Sequence, residues 1–176
     1  MTDQRLCSER MAAAAHMQGN NAYAGPIEGS SDEEEPQPGE VSMGKFGTSK
    51  GGRIYTVGLA TCVRVAVTGQ YPNGSGSNGD DRFLAHVAES KYKAALQVLI
   101  DAVERAKGNG LQVTEVVVVI LADQGSSADS DQDEFNSDVI KKVRDAIGQP
   151  KVIEHTSDDN YKMSVEANKR ITYAAE

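Results

Sequence analysis

A chain of 176 residues with a net charge of −8 is long enough for one packed domain plus a tail. It is too acidic to give nucleic acid or an anionic membrane the basic face that each requires. Its mean hydropathy is −0.46, aromatic residues make up 5%, and it has no Trp, so the whole length is not expected to pack. No apolar run approaches the roughly 20 residues that span a bilayer, and the start of the chain, with Asp3, Arg5 and Glu9, lacks the apolar stretch of a signal peptide. Two cysteines, Cys7 and Cys62, make no disulfide framework and suit a reducing compartment. The expected setting is cytoplasmic, with delivery into another cell left open, and the electrostatic match is to basic protein surfaces.

Residues 1–50 read as a disordered acidic and polar tail. The stretch from Ser30 to Gly39 joins like charges to prolines and glycine and cannot bury enough apolar area to offset chain entropy. It could serve as an interaction tail or a phosphorylation site, and its composition favours a solvated spacer. Order is expected over residues 51–176. Residues 54–59 read as a strand rich in β-branched and aromatic side chains. A corner of small residues, Leu59-Ala60-Thr61, leads to a second strand over 62–68, where Val63, Val65 and Val67 alternate with Cys62, Arg64 and Ala66. A glycine- and asparagine-rich loop follows, then a third strand over 82–87.

From Ser90 the period becomes helical, with Leu96, Leu99, Val103 and Ala106 on one face and Gly108-Asn109-Gly110 as the terminator. Residues 113–121 are apolar at nearly every position, as in a central strand buried on both faces. A polar acidic loop is expected over 125–133 and a second amphipathic helix over 138–147. The chain closes with a strand near 151–156 and a hairpin over 161–166 and 170–173. This order predicts an α/β or α+β fold, a mixed sheet with two helices.

Cys62 is the first candidate for chemistry, because it opens a strand directly after a tight corner where a side chain can project into a cleft. A thiol needs a base or a cation to supply thiolate near neutral pH. Of the three histidines, His16, His86 and His155, only His86 lies in the next strand, and antiparallel pairing would bring it towards Cys62. On spacing alone, the stronger reading is a small core cysteine and a hydrogen-bonded strand histidine. Asp129, Asp131, Asp133 and Glu134 lack the glycine and closing glutamate of a calcium loop. His155 with Asp158 and Asp159 lacks further ligands, so no metal and no cofactor is assigned.

The segment Thr56-Val57-Gly58-Leu59-Ala60-Thr61-Cys62-Val63-Arg64-Val65 resembles the core motif of the CheD family of chemoreceptor glutamine deamidases, in which a threonine and a glycine stretch precede Gly-Ser-Cys and an apolar strand. Leu84-Ala85-His86-Val87 is similar to that family's histidine segment, and the same Cys-His arrangement is shared with deamidating toxins of the cytotoxic necrotizing factor type. The likeness spans Arg53 to Tyr173. It implies a layered α/β/β/α sandwich and a protein-glutamine deamidase acting on a protein with an accessible glutamine. It further implies Cys62 as nucleophile, His86 as base and Thr56 as the residue orienting the imidazole, with the Ala60-Thr61 corner forming the oxyanion and substrate-binding part. The family's Gly-Ser is Ala60-Thr61 here; if that position requires positive φ, Ala60 would be strained by about 1 kcal/mol. The alternatives are a catalytically silent binding module and a thiol amidase or esterase acting on a small molecule.

Overall fold

The structure, a computed structural model, describes residues 37–58, 60–72, 79–89, 92–122, 130–156 and 160–176. Eight strands and two helices follow the chain as β1 (Phe46–Ser49), β2 (Ile54–Gly58), β3 (Val63–Gln70), β4 (Arg82–Val87), α1 (Tyr92–Gly108), β5 (Gln112–Leu121), α2 (Ser130–Ala146), β6 (Lys151–His155), β7 (Tyr161–Val165) and β8 (Ile171–Ala175). They form a five-stranded sheet in the order β1-β4-β3-β5-β6 and a three-stranded sheet in the order β2-β7-β8. The larger sheet is mixed, because β5 and β6 run parallel while its other pairs are antiparallel. The fold is α+β, an α/β sandwich.

The two-residue period of β3 decides the layering. Val63, Val65 and Val67 face Leu96, Leu99 and Val103 of α1 and Phe135, Val139 and Val143 of α2 in one apolar cluster. From the opposite face, Ala66, with Leu84, Val117 and Val119, meets Met163, Val165 and Ile171 of the smaller sheet. Both helices therefore pack on one side of the five-stranded sheet. Among the described residues the layers are helices, large sheet, small sheet; no helix there covers the outer face of β2-β7-β8, where the α/β/β/α expectation places a fourth layer. α1 ends as the glycine signal predicts: Gly110 has φ +97, its N–H donates to Lys107 O (2.9 Å), and Leu111 N–H donates to Ala106 O (2.9 Å). No helix among the described residues is long and apolar enough to cross a membrane.

The structure moves two boundaries. The fold begins before residue 51, inside the stretch expected to be tail: Phe46–Ser49 pairs with β4, and Val41 is buried between the sheets. This segment has too few apolar residues to announce itself as a strand, and pairing rather than propensity holds it. α2 begins at Ser130, not Asp138, so Ser130 to Asp133 is helical rather than loop and residues 134–137 belong to the same helix. Asp131 and Asp133 lie in the first turn, where carboxylates favour the helix dipole, and Phe135 and Asn136 are buried. The tail to residue 36, the loop over 73–78, and Asp129, Asp158 and Asp159 lie outside the described residues.

Candidate active site

The polar centre of the molecule lies between the two sheets. The face of β3 and β4 that looks away from the helices carries Arg64 and His86 directly opposite each other in the antiparallel register, both with no exposed surface. Thr56, also fully buried, projects towards them from β2. Its Oγ1 lies 2.7 Å from His86 Nδ1 and donates to Val41 O at 2.5 Å. A hydroxyl has one proton to give. Since Thr56 gives it to Val41, Nδ1 of His86 must carry a proton and donate to Thr56, which leaves Nε2 as a bare lone pair. That nitrogen is buried and has no hydrogen-bond partner among the described residues, the Cys62 thiol included.

The segment expected to be tail supplies much of this frame. Gly44 N–H donates to His86 O (2.8 Å), and His86 N–H donates to Lys45 O (3.0 Å). Gly58, at φ +147, leaves room for the ring: a Cβ there would sit 2.7 Å from His86 Cε1. Burial and then the guanidinium of Arg64 push the His86 pKa down to about 4, opposed in part by the nearby Val41 carbonyl. The imidazole is therefore neutral at pH 7.

Cys62 sits one residue before β3, in the corner that joins β2 to β3, and is 4% exposed. It belongs to neither apolar cluster. Burial pushes its thiol pKa up, and Arg64 pulls it part of the way back. The resting pair is thus neutral thiol and neutral imidazole, not the activated thiolate that the sequence suggests. Ala60 is buried and Thr61 exposed. Lys169 (φ 70) is the only non-glycine residue with positive φ among those described, so Ala60 does not carry the strain that a glycine torsion would impose.

The chain matches no family model and no curated protein. What its site can do must therefore be read from its own residues.

Three further residues join this site without a sequence signal that singled them out. Arg64 Nη1 donates to Cys62 O (3.0 Å) and Nη2 to Gly58 O (2.7 Å), tying together the two ends of the corner. Gln132, on the first turn of α2, donates through Nε2 to Thr61 O (3.1 Å) and to Asn136 Oδ1 (2.9 Å); Asn136 in turn donates to Leu121 O (2.9 Å). The i, i+4 spacing of Gln132 and Asn136 could have revealed a shared helix face, had their segment been read as helical. A groove of about 440 Å³ opens along α2, lined by Glu89, Asp131, Glu134, Phe135, Asp138 and Lys141 among others, and neither Cys62 nor His86 lines it. His155 stacks on Tyr161 (centroids 4.2 Å apart), and Arg64 lies 5.7 Å over the same ring. Among the described residues no group of three His, Cys, Asp or Glu side chains is placed to hold a metal.

Proposed function

We propose that the protein is a cysteine-dependent amide hydrolase that converts a glutamine side chain of another protein to glutamate. The observation that carries this reading is the Thr56–His86 pair. A buried imidazole is held by its Nδ1–H, and its Nε2 lone pair is left free on the side of the sheet that bears the Cys62 corner. A buried polar atom without a partner costs roughly 1–3 kcal/mol, and a general base has a use for it. The resemblance of Thr56, Cys62 and His86 to the CheD motif names the same three residues.

The chemistry follows from the protonation states. The S–H proton of Cys62 passes to Nε2 of His86 as sulfur attacks the amide carbon. The tetrahedral intermediate collapses as its C–N bond breaks, and the proton on Nε2 leaves with ammonia. Water then adds to the thioester, giving a proton to Nε2, and the C–S bond breaks to release glutamate and return the thiol. Thr56 holds the ring while its Nε2 gains and loses this proton, and the Ala60-Thr61 corner is the candidate site for the oxyanion. Because the sulfur is covered at rest, the corner must open for substrate.

Incubation with a glutamine-peptide library and with a protein extract, followed by ammonia and mass measurements, tests the reading. Glutamine-to-glutamate conversion should appear and vanish with Cys62→Ala. Conversion that survives this substitution, or no conversion in either pool, rejects it. The raised thiol pKa and the covered sulfur favour a second reading, a silent binding module that keeps the fold. Alkylation separates the two. Both readings have the covered Cys62 reacting slowly with iodoacetamide in the resting protein; only the hydrolase, whose corner must open, should show a change in that rate when a glutamine substrate is added.

A further inference from the structure

A guanidinium with no exposed surface between two sheets is costly to bury, and this one donates two hydrogen bonds to backbone carbonyls. Its two amino groups reach the carbonyls of Gly58 and Cys62, the residues that bracket the corner, and its Cα lies opposite that of His86 in the β3–β4 register. We propose that Arg64 is the positioning residue of this site: it clamps the corner that presents Cys62 and makes the facing His86 work as a neutral base. The proposal rests on the hydrolase reading for its catalytic meaning, but not for its geometry.

The clamp has two separable parts. The fork fixes distance, because two N–H groups on one rigid plane hold two carbonyls in a set relation, which a single ammonium cannot do. The charge fixes protonation. An imidazolium at His86 would share a dry space with a fixed cation, so a thiolate–imidazolium pair is disfavoured and the proton moves only as sulfur attacks. Among the described residues, Arg64 on β3 is the charged group that acts on His86, and Arg64 is itself acted on by Cys62 in the corner, by Tyr161 on β7 beneath the guanidinium and by Glu176 from the end of β8. None of these is a carboxylate paired to His86, and burial reinforces the effect of Arg64.

Two substitutions in the full chain separate these parts. Arg64→Gln keeps a hydrogen-bonding side chain and removes the charge; Arg64→Lys keeps the charge and removes the fork. Ring-proton NMR of His86 should place its titration midpoint near 4 in the parent and in Arg64→Lys, and about one pH unit higher or more in Arg64→Gln. Iodoacetamide should alkylate Cys62 about tenfold faster in Arg64→Lys, because a loosened corner exposes the sulfur. An unchanged midpoint in folded Arg64→Gln overturns the charge role, as does an equal rise in both variants. Unchanged alkylation in Arg64→Lys overturns the clamp. Should Arg64→Gln fail to fold, the lysine variant decides alone: a midpoint held near 4 with faster alkylation supports the proposal, and any other result overturns it. None of these readouts needs a substrate, so a protein that passes them without hydrolysing glutamine rejects the proposed activity and leaves the role of Arg64 standing.

Discussion

The two faces of β3 are built from alternate residues of one eight-residue strand, yet they follow opposite rules. Towards the helices it shows Val63, Val65 and Val67, all with no exposed surface and all inside a cluster made only of apolar side chains. Towards the small sheet it shows Arg64, Ala66 and Thr68, also buried, with His86 and Thr56 beside them. The first face is what a sequence does to fold. The second includes a buried charge and an unpartnered nitrogen, which no fold needs for stability. Departure from the rules of packing, confined to one face, is the physical argument for function there.

The sharpest way to break that comparison is to make the second face obey the rules of the first. His86→Leu keeps the volume, removes the unpartnered Nε2 and leaves Thr56 bonded to Val41. Its stability at pH 7 should equal or exceed that of the parent, while the proposed glutamine hydrolysis should fall by about 10²–10⁴-fold, the range attributed to general acid–base catalysis. Denaturant melts and ammonia release report the two quantities independently. A variant that is both unstable and inactive would make His86 a structural residue, and the contrast between the faces would fail.

The converse substitution acts on the helix side. Leu99→Ala empties a fully buried position between α1 and the large sheet. It should cost about 2–5 kcal/mol in unfolding free energy, with the activity of the folded fraction unchanged. A shift in His86 titration or Cys62 alkylation in this variant would show that the two faces are coupled through the sheet.

Legibility from sequence follows the same division. The strands of the large sheet and α1 were readable because their burial is apolar and periodic: Val116 to Leu121 and the Leu96–Leu99–Val103 stripe state their environment directly. Arg64 was not readable. In an alternating strand a charged residue marks the solvent face, and here that face is covered by a second sheet, so the pattern was correct while the environment was hidden. β1 and the first two turns of α2 were missed for a related reason. Phe46–Ser49 depends on hydrogen bonds from β4, and residues 130–137 on the burial of Phe135 and the Asn136–Leu121 bond, all of them long-range contacts. Position along the chain singles out Cys62 and His86 as candidates, and the resemblance adds Thr56 and gives all three their roles; the structure supplies the Thr56–His86 bond and leaves the thiol and the imidazole unbonded.

A smaller and more local probe is Gly58. An alanine Cβ would sit 2.7 Å from His86 Cε1, on a backbone whose φ of +147 already disfavours a side chain. Gly58→Ala should cost about 1–3 kcal/mol and, by displacing the ring, weaken the Thr56 bond, so that hydrolysis falls further than stability alone explains. Loss of stability with undiminished turnover in the folded fraction would mean that the ring position is not what catalysis requires.

The finest distinction is in the pH dependence, because only one of the two faces titrates. Folded His86 has a pKa of about 4, below the ordinary 6.5 of an exposed imidazole, so between these values the unfolded chain binds the proton and the folded chain does not. The stability held by the neutral ring is therefore complete above about pH 6.5 and is lost as the pH falls towards 4, amounting to about 2 kcal/mol between pH 7 and 5. Glu166, whose pKa is lowered mainly by the Ser164 hydroxyl, adds a loss of its own only as the pH falls through the usual carboxylate range. His86→Leu should abolish the slope between pH 7 and 5, whereas Leu99→Ala should lower the whole curve and leave its slope intact. Equal slopes in the parent and His86→Leu would mean that the imidazole is protonated or solvated in the folded protein, and the buried lone pair on which a general base depends would not exist.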